Sequence, residues 1–377
     1  IDKMLNPFVV GDYLSQEYFC GRSNEAKVLE ECIREGKNVV LHSARRLGKN
    51  HLIEHVFHKA SFKEEFGCLC VDAGVCGSLK EFAFFLVDGI FRSLRNDHES
   101  FEKLAGLCRR LGLSMTMDPS SEVVSHSFSL RSIREPEKII EEFFSFLESF
   151  DKKVVLAIDG FEKLASFREV DGLSALGKII ESHSSVRMIF SVYETQGSSI
   201  QFLEKYGIVF RSSGLIHLGP IEFSEYCSFA RSKFQKAGKR ISAEIFESIY
   251  SKFSGGTGPI QLVLNRLFAE TPKNGSVTTE ILDNVINSIV EEYSVFYKEA
   301  LSGLSFNQKC LVFAVAKDGA VENPSSSEFV NRHSLASVSS VQSSARALLE
   351  QGIFYKDASG LRIDDDFFKE WLRKEYF

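Results

Sequence analysis

Residues 38–50 read Asn38-Val-Val-Leu-His-Ser-Ala-Arg-Arg-Leu-Gly-Lys-Asn50, and a helical run from His51 to Lys59 follows. The first five residues form a short apolar strand. Ser43 to Asn50 then lies in the strand–loop–helix setting of the phosphate-loop pattern G-x-x-x-x-G-K-[ST]. The setting has a physical reason: loop N–H groups, backed by a helix N-terminus, point at phosphate oxygens. Gly48 permits the tight curvature and Lys49 reaches the β- and γ-phosphates. Ala44, Arg45, Arg46, Leu47 and His51 complete the expected cradle, with one of the two arginines pairing with phosphate or with a neighbouring carboxylate. Two positions depart from the pattern. Ser43 stands at the first glycine, and Asn50 replaces the hydroxyl that binds Mg²⁺.

A second motif raises the weight of the first. Lys153-Val-Val-Leu-Ala-Ile-Asp159 is an apolar strand ending in a carboxylate, as in nucleotide sites where this residue holds Mg²⁺ and its waters. Asn50 and Asp159 are therefore the expected metal-facing residues. Gly160 follows, where hydrolytic members of this class carry the Glu that activates water. Glu162 lies two positions later. A buried strand ending in a helix-capping Asp159 is the plain alternative.

Working outward, helix and strand alternate. Residues 23–35 read as a helix with Ser23 as its N-cap. Phe66 to Asp72 is a strand, residues 79–94 and 136–149 are helices, residues 173–182 another helix, and Arg187-Met-Ile-Phe-Ser-Val192 a strand. This spacing predicts an α/β fold whose mostly parallel sheet is covered on both faces. Residues 112–136 carry little periodicity and read as an excursion. After Leu218-Gly-Pro220 the strands stop, and residues 222–290 read as helices broken at Gly238, Gly255-Gly256 and Pro272. From about residue 296 come a helix through 308–316, a second from Ser339 to Gln351, and Gly352-Ile-Phe-Tyr355 with Leu361-Arg-Ile363 flanking a turn. Helices followed by a small hairpin suggest a winged helix-turn-helix.

Composition sets bounds. The 377 residues are 44% hydrophobic and 25% charged, ordinary for a soluble globular chain. A formal charge of −6 excludes a generally basic nucleic-acid coat. No run of about 18 apolar residues marks a membrane span. Residues 1–7 show no signal-peptide pattern, so the cytoplasm is expected. The eight cysteines are scattered rather than arranged as a disulfide framework, and Cys68 and Cys70, inside an apolar strand, are expected to be buried and structural. The 34 Phe, many at helical spacing as in Phe143, Phe144, Phe146 and Phe150, read as core. His51, His55 and His58 share a helix face but lack the other ligands of a metal site.

Further stretches point to one family. Asn6-Pro-Phe8, Tyr18-Phe-Cys-Gly-Arg22, Ser43-Ala-Arg-Arg-Leu-Gly-Lys49 and Ile158-Asp-Gly-Phe161 are followed, in order, by Phe253-Ser-Gly-Gly-Thr-Gly-Pro-Ile-Gln261, Leu304-Ser-Phe-Asn-Gln-Lys309 and Ile363-Asp-Asp-Asp-Phe-Phe-Lys-Glu-Trp371. The chain resembles, over nearly its whole length, the archaeal-type ATPases of archaea and Bacteroidetes-like bacteria, P-loop proteins of the AAA+/STAND group. The resemblance implies a P-loop NTPase core with a parallel sheet, a helical lid and a C-terminal winged helix, here 1–217, 218–295 and 296–377. It implies ATP or ADP with Mg²⁺ as ligands, a catalytic Asp159, Arg22 near the nucleotide base, and Arg211 as a cation facing γ-phosphate; a helix-start salt bridge for Arg22 and a surface ion pair for Arg211 are the plain alternatives. Among Ser191, Tyr193, Glu194 and Thr195, no one residue stands out as the γ-phosphate sensor. Gly255, Gly256 and Pro259 either place lid backbone against adenine or simply break helices.

The departures fall on hydrolysis. The family carries Thr or Ser where this chain has Asn50, Asp-Glu where it has Asp159-Gly160, and commonly Pro where it has Ala44. Retained adenine-nucleotide binding with impaired hydrolysis is the expectation, in a molecular switch, and Asn50→Thr with Gly160→Glu should raise turnover. The rival is a non-catalytic protein-interaction or DNA-binding regulator with a vestigial loop. For the winged helix, Val341, Ala345, Leu348 and Leu349 read as the packing stripe, leaving Ser340, Ser343, Ser344 and Arg346 outward. With nine Lys or Arg against ten Asp or Glu over 301–377, docking on protein or on the ATPase core is preferred to DNA.

Overall fold

The three runs that are apolar at nearly every position, Val39–Ser43, Lys153–Asp159 and Arg187–Tyr193, are the inner strands of one sheet. Only a strand covered on both faces can be apolar at consecutive positions. The computed structural model describes residues 6–94, 97–113, 115–118, 125–193, 204–205, 213–357 and 359–377. Two compact units divide the chain, one made of Ser15–Ala44 and Gly48–Gly219, the other of Ile1–Leu14, Arg45–Leu47 and Pro220–Phe377.

The first unit runs α1 (Ser23–Arg34), β1 (Val39–Ser43), α2 (Lys49–Phe57), α3 (Ala60–Glu65), β2 (Phe66–Asp72), α4 (Leu79–Leu94), α5 (His98–Arg110), β3 (Met115–Asp118), β4 (Ser125–Phe128), α6 (Pro136–Glu148), β5 (Lys153–Asp159), α7 (Val170–Ser182), β6 (Arg187–Tyr193) and β7 (Gly214–Leu218). Its five-stranded sheet has the order β2-β5-β6-β1-β7, every pairing parallel. Alternation along each strand splits the core. Val40, Leu156 and Phe190 join Phe82, Ile140, Phe143 and Leu176 on one face. Val39, Leu41, Val155 and Ile189 join Leu29, Leu52 and Phe62 on the other. Phe143 and Phe144 are buried, and Phe146 and Phe150 pack against the same core.

Several local expectations change. Helix α1 begins at Ser23 itself: Arg22 is the residue before it, in the left-handed region (φ 65°), so Ser23 is no N-cap. The excursion 112–136 holds the antiparallel pair β3–β4, with Met115 opposite Phe128. Cys68 is half-buried and Cys70 exposed, because β2 is an edge strand with one row of side chains turned outward.

In the second unit Phe8 is fully buried against Phe229, Phe234 and Phe268. Asn6 Nδ2 donates to Asn265 O (2.8 Å), and Asn265 Nδ2 returns a bond to Phe8 O (2.6 Å). The helices are α8 (Phe223–Lys236), α9 (Ala243–Lys252), α10 (Thr257–Glu270), α11 (Thr279–Ser302), α12 (Phe306–Asp318), α13 (Ser327–Arg332) and α14 (Val338–Glu350); the hairpin β8 (Phe354–Asp357) with β9 (Gly360–Ile363) and α15 (Asp366–Tyr376) follow. The stretch Leu304-Ser-Phe-Asn-Gln-Lys309 starts α12 with a capping box: Ser305 Oγ accepts from Gln308 N–H while Gln308 Oε1 accepts from Ser305 N–H. Val321 bridges Leu361 beside the hairpin. Trp371 of α15 is buried against Tyr297 and Phe368. On α14, Val341, Ala345 and Leu348 face inward as expected, but Ser344 is buried with them, one helical turn from Leu348 and Val341. Ser343 and Arg346 remain exposed.

Candidate functional site

In a parallel sheet, ligands sit beyond the carboxyl ends of the strands. Here β1, β5 and β6 end in Ser43, Asp159 and Tyr193. The register sets Ser43 beside Tyr193. After Ser43 the loop turns sharply, with Arg46 (φ 62°) and Gly48 (φ 86°) both left-handed, and α2 starts at Lys49. Gly48 meets the backbone demand without cost. The opening amides of α2 have no partner within the helix, which makes this end a natural anion cradle.

Lys49 is almost fully buried, at 4% exposure. Its Nζ donates to Ser43 Oγ (2.8 Å) and lies 3.6 Å from the centre of the Tyr193 ring. Ser43 itself donates to Ala44 O (2.6 Å). Serine at the first position of the motif thus serves as a rest for the lysine.

Asp159 is gripped on both oxygens. Asn50 Nδ2 donates to Oδ2 at 2.7 Å and Ser191 Oγ to Oδ1 at 2.6 Å. The sequence pair Asn50 and Asp159 is therefore in contact, and buried Ser191, two residues before the end of β6, meets the same carboxylate. Asn50 turns its amide N–H to the carboxylate, so of this pair Asp159 supplies the oxygens that a Mg²⁺ ion would use, with water and phosphate filling the rest of its shell.

Gly160 explains the missing carboxylate. It is left-handed (φ 67°), and a Cβ there would lie 2.4 Å from Gly74 Cα and 2.6 Å from Gly74 N. The turn after β2 closes on this point, with Ala73 N–H donating to Asp159 O (2.8 Å). The expectation that Gly160→Glu restores a water-activating group is overturned, because backbone fills the place of its side chain. Glu162 stands in the next turn instead. Its Oε2 accepts from Tyr193 N–H (3.2 Å). Burial pushes its carboxyl up from the usual range and Asp159 adds to this, while backbone N–H bonds and Lys49 pull the other way.

The remaining candidates separate. Arg22 is buried and pairs with Glu25 (3.1 Å) at the start of α1. His51 is half-buried on α2; His55 stacks on Phe19 and His58 pairs with Glu54, so the three histidines have different surroundings. Among the described residues no group of three or more His, Cys, Asp or Glu is arranged to hold a metal. Leu47 is buried, and Arg45 and Arg46 reach Asp364. Arg211, Glu194 and Thr195 lie outside the described residues. Sequence reasoning missed the cavity of about 350 Å³ beside Asp159, lined by Asn50, Glu54, Cys70, Asp72 and Asp88. No helix among the described residues is long and apolar enough to cross a membrane.

Residues 295–374 match the family described as a probable winged helix domain. The fold is similar to that of a Walker-type ATPase of Pyrococcus abyssi, at 12% identity and a TM-score of 0.65 over 97% of this chain and 99% of that one. It is also similar to the ORC2 protein of Aeropyrum pernix, solved as ADPNP–ADP complexes, at 12% identity and a TM-score of 0.54 over 99% and 97%. The ORC1 protein of Aeropyrum pernix in complex with DNA matches at 12% identity and a TM-score of 0.51 over 95% and 94%. No curated protein matches in sequence. The chain has the archaeal-type P-loop ATPase fold, with a parallel-sheet core, helical elements and a C-terminal winged helix.

Proposed function

We propose that the chain binds an adenine nucleotide and acts as a molecular switch of the AAA+/STAND kind, with impaired hydrolysis. One observation supports this reading: buried Lys49, at the start of α2, donates to Ser43 Oγ at the end of β1, while half-buried Asp159, at the end of β5 in the same parallel sheet, accepts from Asn50 and Ser191. The ADPNP–ADP complexes of the ORC2 neighbour support adenine nucleotides as the ligand class. Lys49 and the first amides of α2 bind the phosphate chain; Asn50 and Asp159 hold Mg²⁺, which when bound neutralises phosphate charge. Ser191 keeps the Asp159 carboxylate in position. Arg211 is proposed to face γ-phosphate and Arg22 to lie near the base. Residues 1–217, 218–295 and 296–377 are proposed as core, lid and winged helix, with loaded and empty states presenting the winged helix differently. The eight cysteines, scattered along the chain, suit a reducing, cytoplasmic location.

Impaired hydrolysis follows from Asn50, which has no hydroxyl, and from Gly160, which has no room for a carboxylate. Loss of a general base typically costs about 10²–10⁴-fold. The test is calorimetric titration with ATP and ADP, with and without Mg²⁺. Wild type is expected to bind both, and Lys49→Ala to abolish binding; unchanged affinity in that variant removes the assignment. A second reading, a DNA-binding regulator, draws on the winged-helix match and on the DNA complex of the ORC1 neighbour.

A further inference from the structure

Arg45 and Arg46, at the tip of the phosphate loop, lie in the same unit as the acidic run Asp364-Asp-Asp366. Arg45 Nη1 is 3.5 Å from Asp364 Oδ2. Arg46 Nη2 is 3.7 Å from the same oxygen, while its Nη1 is 3.4 Å from Asp365 Oδ1 and donates to Asp364 O at 3.2 Å. Both sides of this cluster are built. Asp364 is 8% exposed and its N–H donates to Ile353 O (2.9 Å). Asp365 caps α15 through Phe367 and Phe368 N–H, and its Oδ2 meets the Tyr297 hydroxyl at 3.5 Å. On the loop side, Arg46 O accepts from Gly258 N–H (3.0 Å). Gly352 leaves the space Arg45 uses: a Cβ there would lie 3.0 Å from Nη1.

Guanidinium forks donate to carboxylate and to phosphate oxygens with the same geometry. A fork already filled by carboxylate is not free for phosphate. Resting on the nucleotide-binding reading above, we propose that Asp364 and Asp365 are an internal counter-anion that occupies the loop arginines and that a nucleotide's phosphate chain must displace. Both guanidiniums are more than a third exposed. Exposed pairs of this kind are individually weak, so the competition is graded rather than all-or-none, on the order of three- to tenfold in affinity for the pair. Asp364 and Asp365 thereby set how readily Arg45 and Arg46, in the same unit, take a phosphate.

The test uses the full chain, with ATP and inorganic tripolyphosphate as probes in calorimetry. Asp364→Asn with Asp365→Asn keeps shape, and Asn still caps a helix, so the melting temperature serves as a folding check. Should the double variant melt early, Asp364→Asn alone is read the same way. The expected result is a gain of about three- to tenfold in affinity for both probes, lost again when Arg45→Ala and Arg46→Ala are added. Equal or weaker binding by the acid variants overturns the proposal and leaves the nucleotide reading intact. A gain that survives loss of both arginines also overturns it, since bulk charge would then be the cause. No ATP binding by wild type, by Lys49→Ala or by the acid variants sinks the nucleotide reading itself, and the proposal with it.

Discussion

Gly160 shows how one residue fixes what the site can do. A side chain there would have to enter the left-handed region and pass within 2.4 Å of Gly74 Cα. Left-handed non-glycine residues alone cost on the order of 1–3 kcal/mol, and the backbone clash adds to it. Gly160→Glu is therefore expected to lower the thermal midpoint clearly, without any gain in turnover. A stable, faster variant would show that the turn after β2 yields. Glu162 and Glu194 are the candidates for any hydrolysis that remains; if Glu162 is the one, Glu162→Gln should lower turnover at least about tenfold while leaving ATP affinity unchanged. The same residue gives a pH effect. Burial raises its carboxyl in the native state, so the folded chain holds this proton to higher pH than the unfolded chain does. Its contribution to stability is present below the ordinary carboxylate range and is lost as pH rises through the raised value. Melting curves across that window should flatten in Glu162→Gln; an unchanged slope places the titration elsewhere. Lys49, Asp159 and Asn50 were readable from local sequence because the motif is local. Tyr193 against Lys49, and Asp364 against Arg45, were not, because strand order and a contact 319 residues apart leave no local trace.

At the scale of elements, what the sequence spells locally is also what the termini confirm. The α12 capping box satisfies donors at both ends of its reciprocal pair. Ser305→Ala is expected to cost about 1 kcal/mol, read as a lowered melting midpoint, with Gln308→Ala showing a smaller loss. Equal stability in Ser305→Ala would mean that water replaces the cap. The inner strands β1, β5 and β6 were plain because burial on both faces makes them apolar throughout. Helix α5 went unread although its signals were present: Asp97 caps it through Ser100 N–H, and Phe101, Leu104, Ala105 and Cys108 recur at helical spacing. The pair β3–β4 had weaker signals. Each strand is four residues long and rich in polar or flexible side chains, too short for alternation to stand out.

For the whole molecule the open matter is nucleic acid, and charge weighs most. A winged helix normally sets its recognition helix in the major groove, yet affinity comes mainly from Lys and Arg against phosphates. The exposed residues of α14 include Ser339, Gln342, Ser343 and the cation Arg346, and burial of Ser344 removes one polar contact from that face. Asp364 and Asp365 follow the hairpin and pair with Arg45 and Arg46, so those two cations are partly offset by carboxylates of the same chain. The chain as a whole is at −6. Together these predict that the full chain binds a mixed-sequence duplex no more tightly than about 10⁻⁴ M at physiological salt, the weak end of non-specific binding. Fluorescence anisotropy decides it. Micromolar binding that falls steeply with added salt would count against this expectation and place phosphate contacts beyond α14. If the acid variants of Asp364 and Asp365 bind the duplex where wild type does not, the freed Arg45 and Arg46 are the added cations, and substituting them by alanine should return binding to the wild-type level.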